Sequence, residues 1–479
     1  MTFMKRNKLY PLVLTLLALC FTTSCDEMLD VNTDPNNPST STPQLTLPVA
    51  QVSLATILEA DYNILGSMLA HYWTTGPTAA QYDFIDKYNI RTTDFDNSWI
   101  FMYSTVLSDL EFVRTYGIEH DQPNYTAIAM LLQAYSFQIM VDLYDKIPYS
   151  DALKGKQGNV SPDFQDGDVV YDDLILKVDE ALTMIDTAPL AIKPGNDDMV
   201  FQGDMDLWRK FGNTLKLKIY MRQALARPQV AETGIEAMYT AGAEFLTAGE
   251  NARVSFSTSV HNENPFWQEL NQTSLENLVA SQTSLDELNN NGDVRVAAYY
   301  DPSTVTNQYD GLPQGVGTQD GGLYPDYARP DYTRILNKTA PAYLMTGYES
   351  LFLQAEAALN GWATADAETL YNEAVSESFN FWGEDASSYL ASGEVYEFDG
   401  TLEQLYYQKW LAFNGEQGLE GWIEWRRTGV PTLPVSAQGR PLPNTFPLRL
   451  IWPITERSAN PNVPTITTVD TPVWWDTTL

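Results

Sequence analysis

Histidine and cysteine are nearly absent from this chain. It has three histidines, His71, His120 and His261, and two cysteines, Cys20 and Cys25, in 479 residues. No His-Glu-x-x-His and no Gly-x-Ser-x-Gly occurs, so a serine triad or a histidine-rich metal site has little to draw on. Basic residues are also few. The chain has 28 Lys and Arg against 62 Asp and Glu, a formal charge of −34. Such a surface repels nucleic acid and anionic lipid, which excludes both as partners. No cofactor motif is present either: the Gly315-x-Gly317 portion has the wrong onward spacing for a phosphate loop. What the chain does have is 44% hydrophobic and 12% aromatic content, which predicts a folded, well-filled core despite the charge.

The N-terminus reads as an export signal. Lys5, Arg6 and Lys8 precede a short apolar run over residues 12–21, which is too short to span a bilayer comfortably. Small and polar residues then lead to Cys25. Leu19 before Cys20 is too bulky for a signal peptidase, whereas Ser24 before Cys25 fits, so residues 1–24 are expected to be a signal peptide and Cys25 a lipidation site. A mature chain starting there has one cysteine, at its own first position, hence no disulfide and no catalytic thiol. Its charge is near −37, because the signal carries three basic and no acidic residues. Two acyl chains on Cys25 would make a stable anchor where one would not. Residues 25–47 read as a lipid-anchored leader, with Pro35, Pro38 and Pro43 forbidding a packed element. Asp30-x-Asn32-x-Asp34 imitates a calcium loop, but Pro35 stands where Gly is needed and Ser41 where a bidentate Glu is needed. No metal site is expected.

The rest, 48–479, is expected to be one helical body. Leu54, Ile57, Leu58, Leu65, Met68 and Leu69 follow helical spacing, as do Val170, Leu174, Val178, Leu182 and Ile185. The clearest pair is 343–360, stopped by Gly361, followed by 366–382; alanines of the first face aromatic residues of the second, as in stacked helical repeats. Residues 247–342 differ in kind: Gly, Asn, Asp, Pro and Tyr dominate, and a loop-rich functional insertion is expected there.

Aromatic residues in loops are the natural ligand contacts, because sugar rings pack C–H faces on aromatic faces while amides and carboxylates orient hydroxyls. Two clusters qualify: Tyr72, Trp73, Gln81 and Tyr82 early in the body, and Asn264, Trp267, Tyr300 and Tyr324 in the insertion, with Gln268 and Gln272 beside Trp267. Tyrosine-rich loops also suit peptides, so peptide stays open as the alternative ligand to a neutral oligosaccharide. A glycosidase needs only two carboxylates, and counting acidic residues does not exclude one.

Longer motifs carry a family resemblance. The segments PAYLMTGYESLFLQAEAALNGW (341–362), YNEAVSESFNFWG (371–383), YYQKWLAFNGEQGLEGWIEWRRTGVPTL (406–433) and PLRLIWPITERSANPNV (447–463) resemble blocks of the SusD/RagB family, with Trp452 in place of the usual Tyr. NENPFW (262–267), DVRVAAYYD (293–301) and the leader LDVNTDPNNP resemble further signatures, with Val294 replacing the usual Pro. The resemblance implies a mainly α fold with tetratricopeptide-like helix pairs and a ligand surface built from an early loop and a late insertion. It also implies an outer-membrane lipoprotein, not an enzyme, that serves a SusC-type TonB-dependent β-barrel transporter. The double arginine Arg426-Arg427 near a helix end reads first as structural, with anion binding as the alternative.

Overall fold

The computed structural model describes residues 41–188, 191–465 and 468–477. Cys25, the signal and most of the leader lie outside the described residues. The first described helix, Pro43–Ile57, begins before the expected boundary at residue 48 and contains Pro48. Pro43 opens the helix, where a missing N–H costs nothing, and the apolar Leu47, Ala50 and Leu54 are wholly buried, which outweighs the single bond that Pro48 cannot make.

Helices dominate, and their ends follow capping chemistry. Pro123, Pro228 and Pro265 open helices Pro123–Tyr144, Pro228–Thr240 and Pro265–Gln272. The side chains of Asp204, Thr346, Asp366 and Thr401 cap Met205–Arg222, Gly347–Leu359, Ala367–Asn380 and Leu402–Ala412 by accepting backbone N–H groups. Gly429, in the left-handed region at φ 72°, closes Gly418–Thr428. Successive helices pack in pairs: Ser108–Glu119 on Pro123–Tyr144, that helix on Gly167–Thr187, and Gly347–Leu359 on Ala367–Asn380. Pro123–Tyr144 is long and apolar enough to cross a membrane, but its apolar stretch is entirely buried among these neighbours, as a core helix is.

The expected helix over 343–360 starts later. Residues Ala342–Met345 form a strand against Ala252–Val254, and the helix begins only after Thr346. Trp73–Thr75 pairs in the same antiparallel manner with Leu278–Ala280. These pairings stitch 247–342 into the body, and the stretch also holds helices Pro265–Gln272 and Gln282–Asn290, so it is less irregular than its composition predicts. A close approach completes the early half: a Cβ on Gly66 would stand 2.3 Å from the Leu419 backbone, so Asn63–Leu69 meets Gly418–Thr428 only because residue 66 is glycine.

Five helices also meet in a buried ionic cluster. Lys218 and Arg222 lie one turn apart, as do Glu420 and Glu424 on the facing helix. Lys218 reaches Glu420 at 2.6 Å and Glu349 at 2.8 Å, and Arg222 reaches Glu420 at 2.6 Å and also pairs with Glu424. Lys409 holds Glu424 at 2.8 Å, and Arg427 holds Glu356 at 2.7 Å. Arg426 donates to the carbonyls of Asp142 and Leu448 and lies 4.1 Å from the Trp422 ring centroid. Both arginines are fully buried, so their role is internal and they are closed to an external anion.

Candidate functional site

Two π-helical turns mark one corner of the molecule. Leu58–Tyr62 interrupts the first long helix and Met102–Leu107 interrupts the stretch from Asp96 to Glu119. A π turn inserts one residue and rotates the side chains after it, and such turns occur often at functional sites.

A cleft of about 500 Å3 opens beside the first of these turns. One wall carries Ile57, Ala60 and Asp61; the second carries Asn97, Ser98, Ile100 and Phe101 from helix Asp96–Phe101. The third wall is Pro265, Gln268, Glu269 and Gln272, which are the i, i+3, i+4 and i+7 positions of one helix face. Ile100 and Phe101 are 40% and 37% exposed, unusual for large apolar side chains and consistent with a surface kept open for contact. Among the described residues, no lysine, arginine or histidine lines the cleft.

Supporting hydrogen bonds fix its acceptors. Ser98 donates to Asp61, and Tyr82 donates to Glu269 at 2.8 Å. Asp61 keeps an exposed edge toward the cleft yet is crowded by protein, and this desolvation lifts its carboxyl above the usual range, with the charge of Glu269 adding to the lift. Behind them, Asn264 caps the third wall by accepting from the Trp267 N–H at 2.9 Å, and it donates to Glu59 in the π turn and to the Ala340 carbonyl, both at 3.0 Å. One buried amide therefore fastens two of the three walls together. Burial pushes Glu59 up to about 8, and Glu416 nearby is pushed well above the carboxylate range by burial and by Glu59.

The residues singled out in the sequence separate into four groups. Tyr82 and Asn264 belong to the cleft as supports, and both are buried. Trp267, half-buried on the same helix, lies under the Lys338 ammonium at 4.5 Å and does not line the cleft; its neighbours Gln268 and Gln272 do. Tyr72, Trp73 and Tyr300 are core residues, contrary to the expectation that loop aromatics are free for ligand. Tyr72 donates to the Trp410 carbonyl at 2.6 Å, Trp73 stacks on Phe266 with centroids 5.1 Å apart, and Tyr300 donates to the Tyr72 carbonyl at 2.9 Å. Trp73–Thr75 is a strand pinned under the insertion, and Tyr72 enters it directly, so neither ring is left any surface. Tyr324 shares a hydrogen bond of 2.7 Å with Tyr332, half-buried and away from the cleft lining, and Gln81 is exposed beside Tyr82. Sequence reasoning missed Asp61, Ser98, Phe101 and Glu269, because nothing in their spacing announces that a π turn brings them together. Among the described residues no group of three His, Cys, Asp or Glu side chains is placed to hold a metal ion.

Comparison with known proteins bears on the whole frame. The family model SusD-like, described as "Starch-binding associating with outer membrane", matches residues 35–453. The chain belongs to the SusD-like family. No curated protein matches it in sequence. Among solved structures, the SusD-like chain resembles a SusD homolog from Bacteroides uniformis at 23% identity and TM-score 0.77, covering 90% of this chain and 99% of that one. It also resembles a chitin-binding SusD homolog from Flavobacterium johnsoniae at 20% identity and TM-score 0.74, covering 91% and 98%. The mainly helical fold is thus that of SusD-like proteins, a family of outer-membrane-associated binding proteins.

Proposed function

We propose that the chain captures neutral oligosaccharides in the cleft between its first π turn and helix Pro265–Gln272, as a lipoprotein anchored through Cys25, and delivers them to a SusC-type TonB-dependent transporter. The observation that carries the ligand class is the lining itself. Exposed Phe101 and Ile100 offer a face for sugar C–H groups, while Asn97, Gln268, Gln272, Asp61 and Glu269 offer hydroxyl partners, with no cation among the described lining residues to welcome an acid. Ring stacking of this kind contributes on the order of 1 kcal/mol beyond buried area, so affinity in the micromolar range or weaker is expected. A surface-tethered binder does not itself move cargo inward, which is why a barrel partner belongs to the reading.

Calorimetry with neutral glycans and peptides on the full chain and on Phe101→Ala tests the ligand. Saturable glycan binding weakened about tenfold by the substitution supports it; peptide binding with silence across the glycans overturns it. One observation favours a second reading: Asp61 and Glu269 share the cleft, and two carboxylates are what a glycosidase needs. Shortened products after prolonged incubation would establish catalysis, and intact oligosaccharide would establish binding alone. Detergent extraction with affinity purification should recover a large barrel protein, and Cys25→Ala should release the chain from membranes.

A further inference from the structure

Cations are scarce in this chain, yet Arg114, Lys154, Lys156 and Lys177 line a single cavity of about 800 Å3. Its walls are helices Ser108–Glu119, Pro123–Tyr144 and Gly167–Thr187, and its rim is the segment 149–157. It shares no lining residue with the glycan cleft. Two carboxylates, Glu111 and Asp173, share the lining with the four cations, and Asp151 and Glu180 stand beside it, so cations are concentrated here within a strongly negative molecule.

The cations are not all satisfied. Arg114 is held by both oxygens of Glu111, at 2.8 and 2.7 Å, and Lys154 by Asp151 at 3.1 Å. Lys156 and Lys177 have no ion-pair partner among the described residues. Lys177 is half-buried and stands 6.0 Å from the centroid of the Tyr149 ring. Burial and the neighbouring Arg114 charge hold its ammonium below the usual lysine range, against the opposing pull of Asp173, Glu111 and Glu180. Phe112, Phe137 and Tyr149 supply apolar faces, Phe137 and Tyr149 meeting edge to face at 4.8 Å. The rim holds Leu153 in the left-handed region at φ 63°, a backbone strain that marks functional loops more often than idle ones.

We propose that this cavity is a second subsite, specific for a sugar unit that bears an acidic substituent, carboxylate or sulfate, with the acid meeting Lys177 and Lys156 and the ring against Phe112 and Tyr149. The mixed lining selects this class over a polyphosphate. Glu111 and Asp173 would repel a densely charged ligand, but beside one acid group they are acceptors for hydroxyls, as are the amides of Gln133 and Gln165. The proposal rests on the glycan reading for its ligand class but not for its location.

The test is titration of the full chain with oligogalacturonates, with their methyl esters, with sulfated galactan oligomers and with neutral glycans. The methyl ester keeps the backbone and removes the charge. Expected is saturable binding of a carboxylate or a sulfate series, at least tenfold weaker for the ester, and at least tenfold weaker in Lys177→Met. The exposed Lys156→Ala, which leaves packing untouched, should weaken it several-fold, and Phe101→Ala should leave it unchanged. Which acidic series binds identifies the substituent. Silence toward both acidic series, or acid binding that both lysine variants leave unchanged, overturns the proposal. Loss of neutral-glycan binding alone would instead strike the function proposed for the other cleft.

Discussion

Carboxylates are gathered in two regions of this protein, and the regions treat them in opposite ways. In the five-helix cluster, Asp142, Glu349, Glu356, Glu420 and Glu424 face Lys218, Arg222, Lys409 and Arg427, all buried. Burial pushes Glu420 and Glu424 upward, but the surrounding cations win: Lys218 and Arg222 hold Glu420 below its ordinary value, and Arg427, Lys409 and Arg222 hold Glu424 well below. Asp142, whose ion pair is to Arg222 at 3.5 Å, is the exception in this region: burial outweighs its cations and raises it. Around the cleft, Asp61, Glu269 and, behind them, Glu59 have hydroxyl and amide partners, and neither they nor the buried Glu416 has a cation within ion-pairing distance among the described residues. There burial wins and Asp61, Glu59 and Glu416 are raised. A carboxylate matched to buried cations has used its acceptor capacity on the fold. One placed without a cation at a cleft keeps capacity for a ligand.

The comparison breaks most visibly if a cation is withdrawn from the first region. Arg222→Met takes the ion-pair partner from Asp142 and one of the cations from each of Glu420 and Glu424, and breaking such a buried set costs about 3–5 kcal/mol, read as a large fall in the urea midpoint. A shift near zero would show that the cluster is not what holds those helices. Trp73→Ala comes next, at about 3 kcal/mol or more from lost packing on Phe266 and a residual cavity. Any of this variant that stays folded should bind glycan normally, whereas Phe101→Ala should barely move stability and should weaken binding; the reverse result would return Trp73 to the ligand surface.

This contrast also explains what the sequence could and could not disclose. The helix pairs, the stop at Gly429 and the pairing of Arg427 with Glu356 and Glu424 follow from apolar period, cap chemistry and the rule that an arginine in an acidic chain finds carboxylates, whereas Arg426 donates to the carbonyls of Asp142 and Leu448 instead. Loop composition at 247–342 pointed to a ligand region, and Gln268, Gln272, Tyr82 and Asn264 do gather at a cleft. Composition could not show that 73–75 pairs as a strand with 278–280, a contact over two hundred residues away that turns Trp73 and the adjoining Tyr72 inward. Nor could it show the π turn that aims Asp61 at Ser98, because one inserted residue leaves an apolar stripe almost unchanged.

A finer cut is Asp61→Asn, which keeps a hydrogen-bonding group beside Ser98 and removes only the charge. Neutralising one acceptor should weaken glycan binding by about 1 kcal/mol, five- to tenfold, measured by calorimetry. Stability should move the other way. A carboxyl raised by burial contributes most when protonated and loses that contribution as pH rises through its folded value, so Asp61→Asn should raise the melting midpoint at neutral pH. The gain should vanish at about pH 3, where the wild-type side chain is neutral as well. A glycan affinity unchanged by this substitution would remove Asp61 from the site and leave Glu269 as the acceptor.

The smallest effect at neutral pH belongs to Glu59→Gln, and its value lies in its slope. Glu59 is pushed up to about 8 from an ordinary value of 4.5, so near pH 6 the native side chain is a neutral acid that accepts from Asn264. Glutamine imitates that form, and stability at pH 6 should change by no more than about 0.5 kcal/mol. The unfolded chain releases this proton near 4.5 and the folded chain keeps it to about 8, so Glu59 makes stability fall as pH rises across that window. Glu424, held low by its cations, acts in the opposite sense: its contribution is present above 4.5 and is lost as pH falls. Urea midpoints from pH 5 to 9 should therefore decline for the wild type and flatten for Glu59→Gln, with Glu416 retaining part of the slope. Glycan affinity should follow the same trend, because Glu59 and Asn264 fasten the π turn to the helix that carries Gln268 and Glu269. If both proteins show the same pH profile, Glu59 is ionised in the native state, and the division between cation-matched and cation-free carboxylates fails at a fully cation-free, buried example.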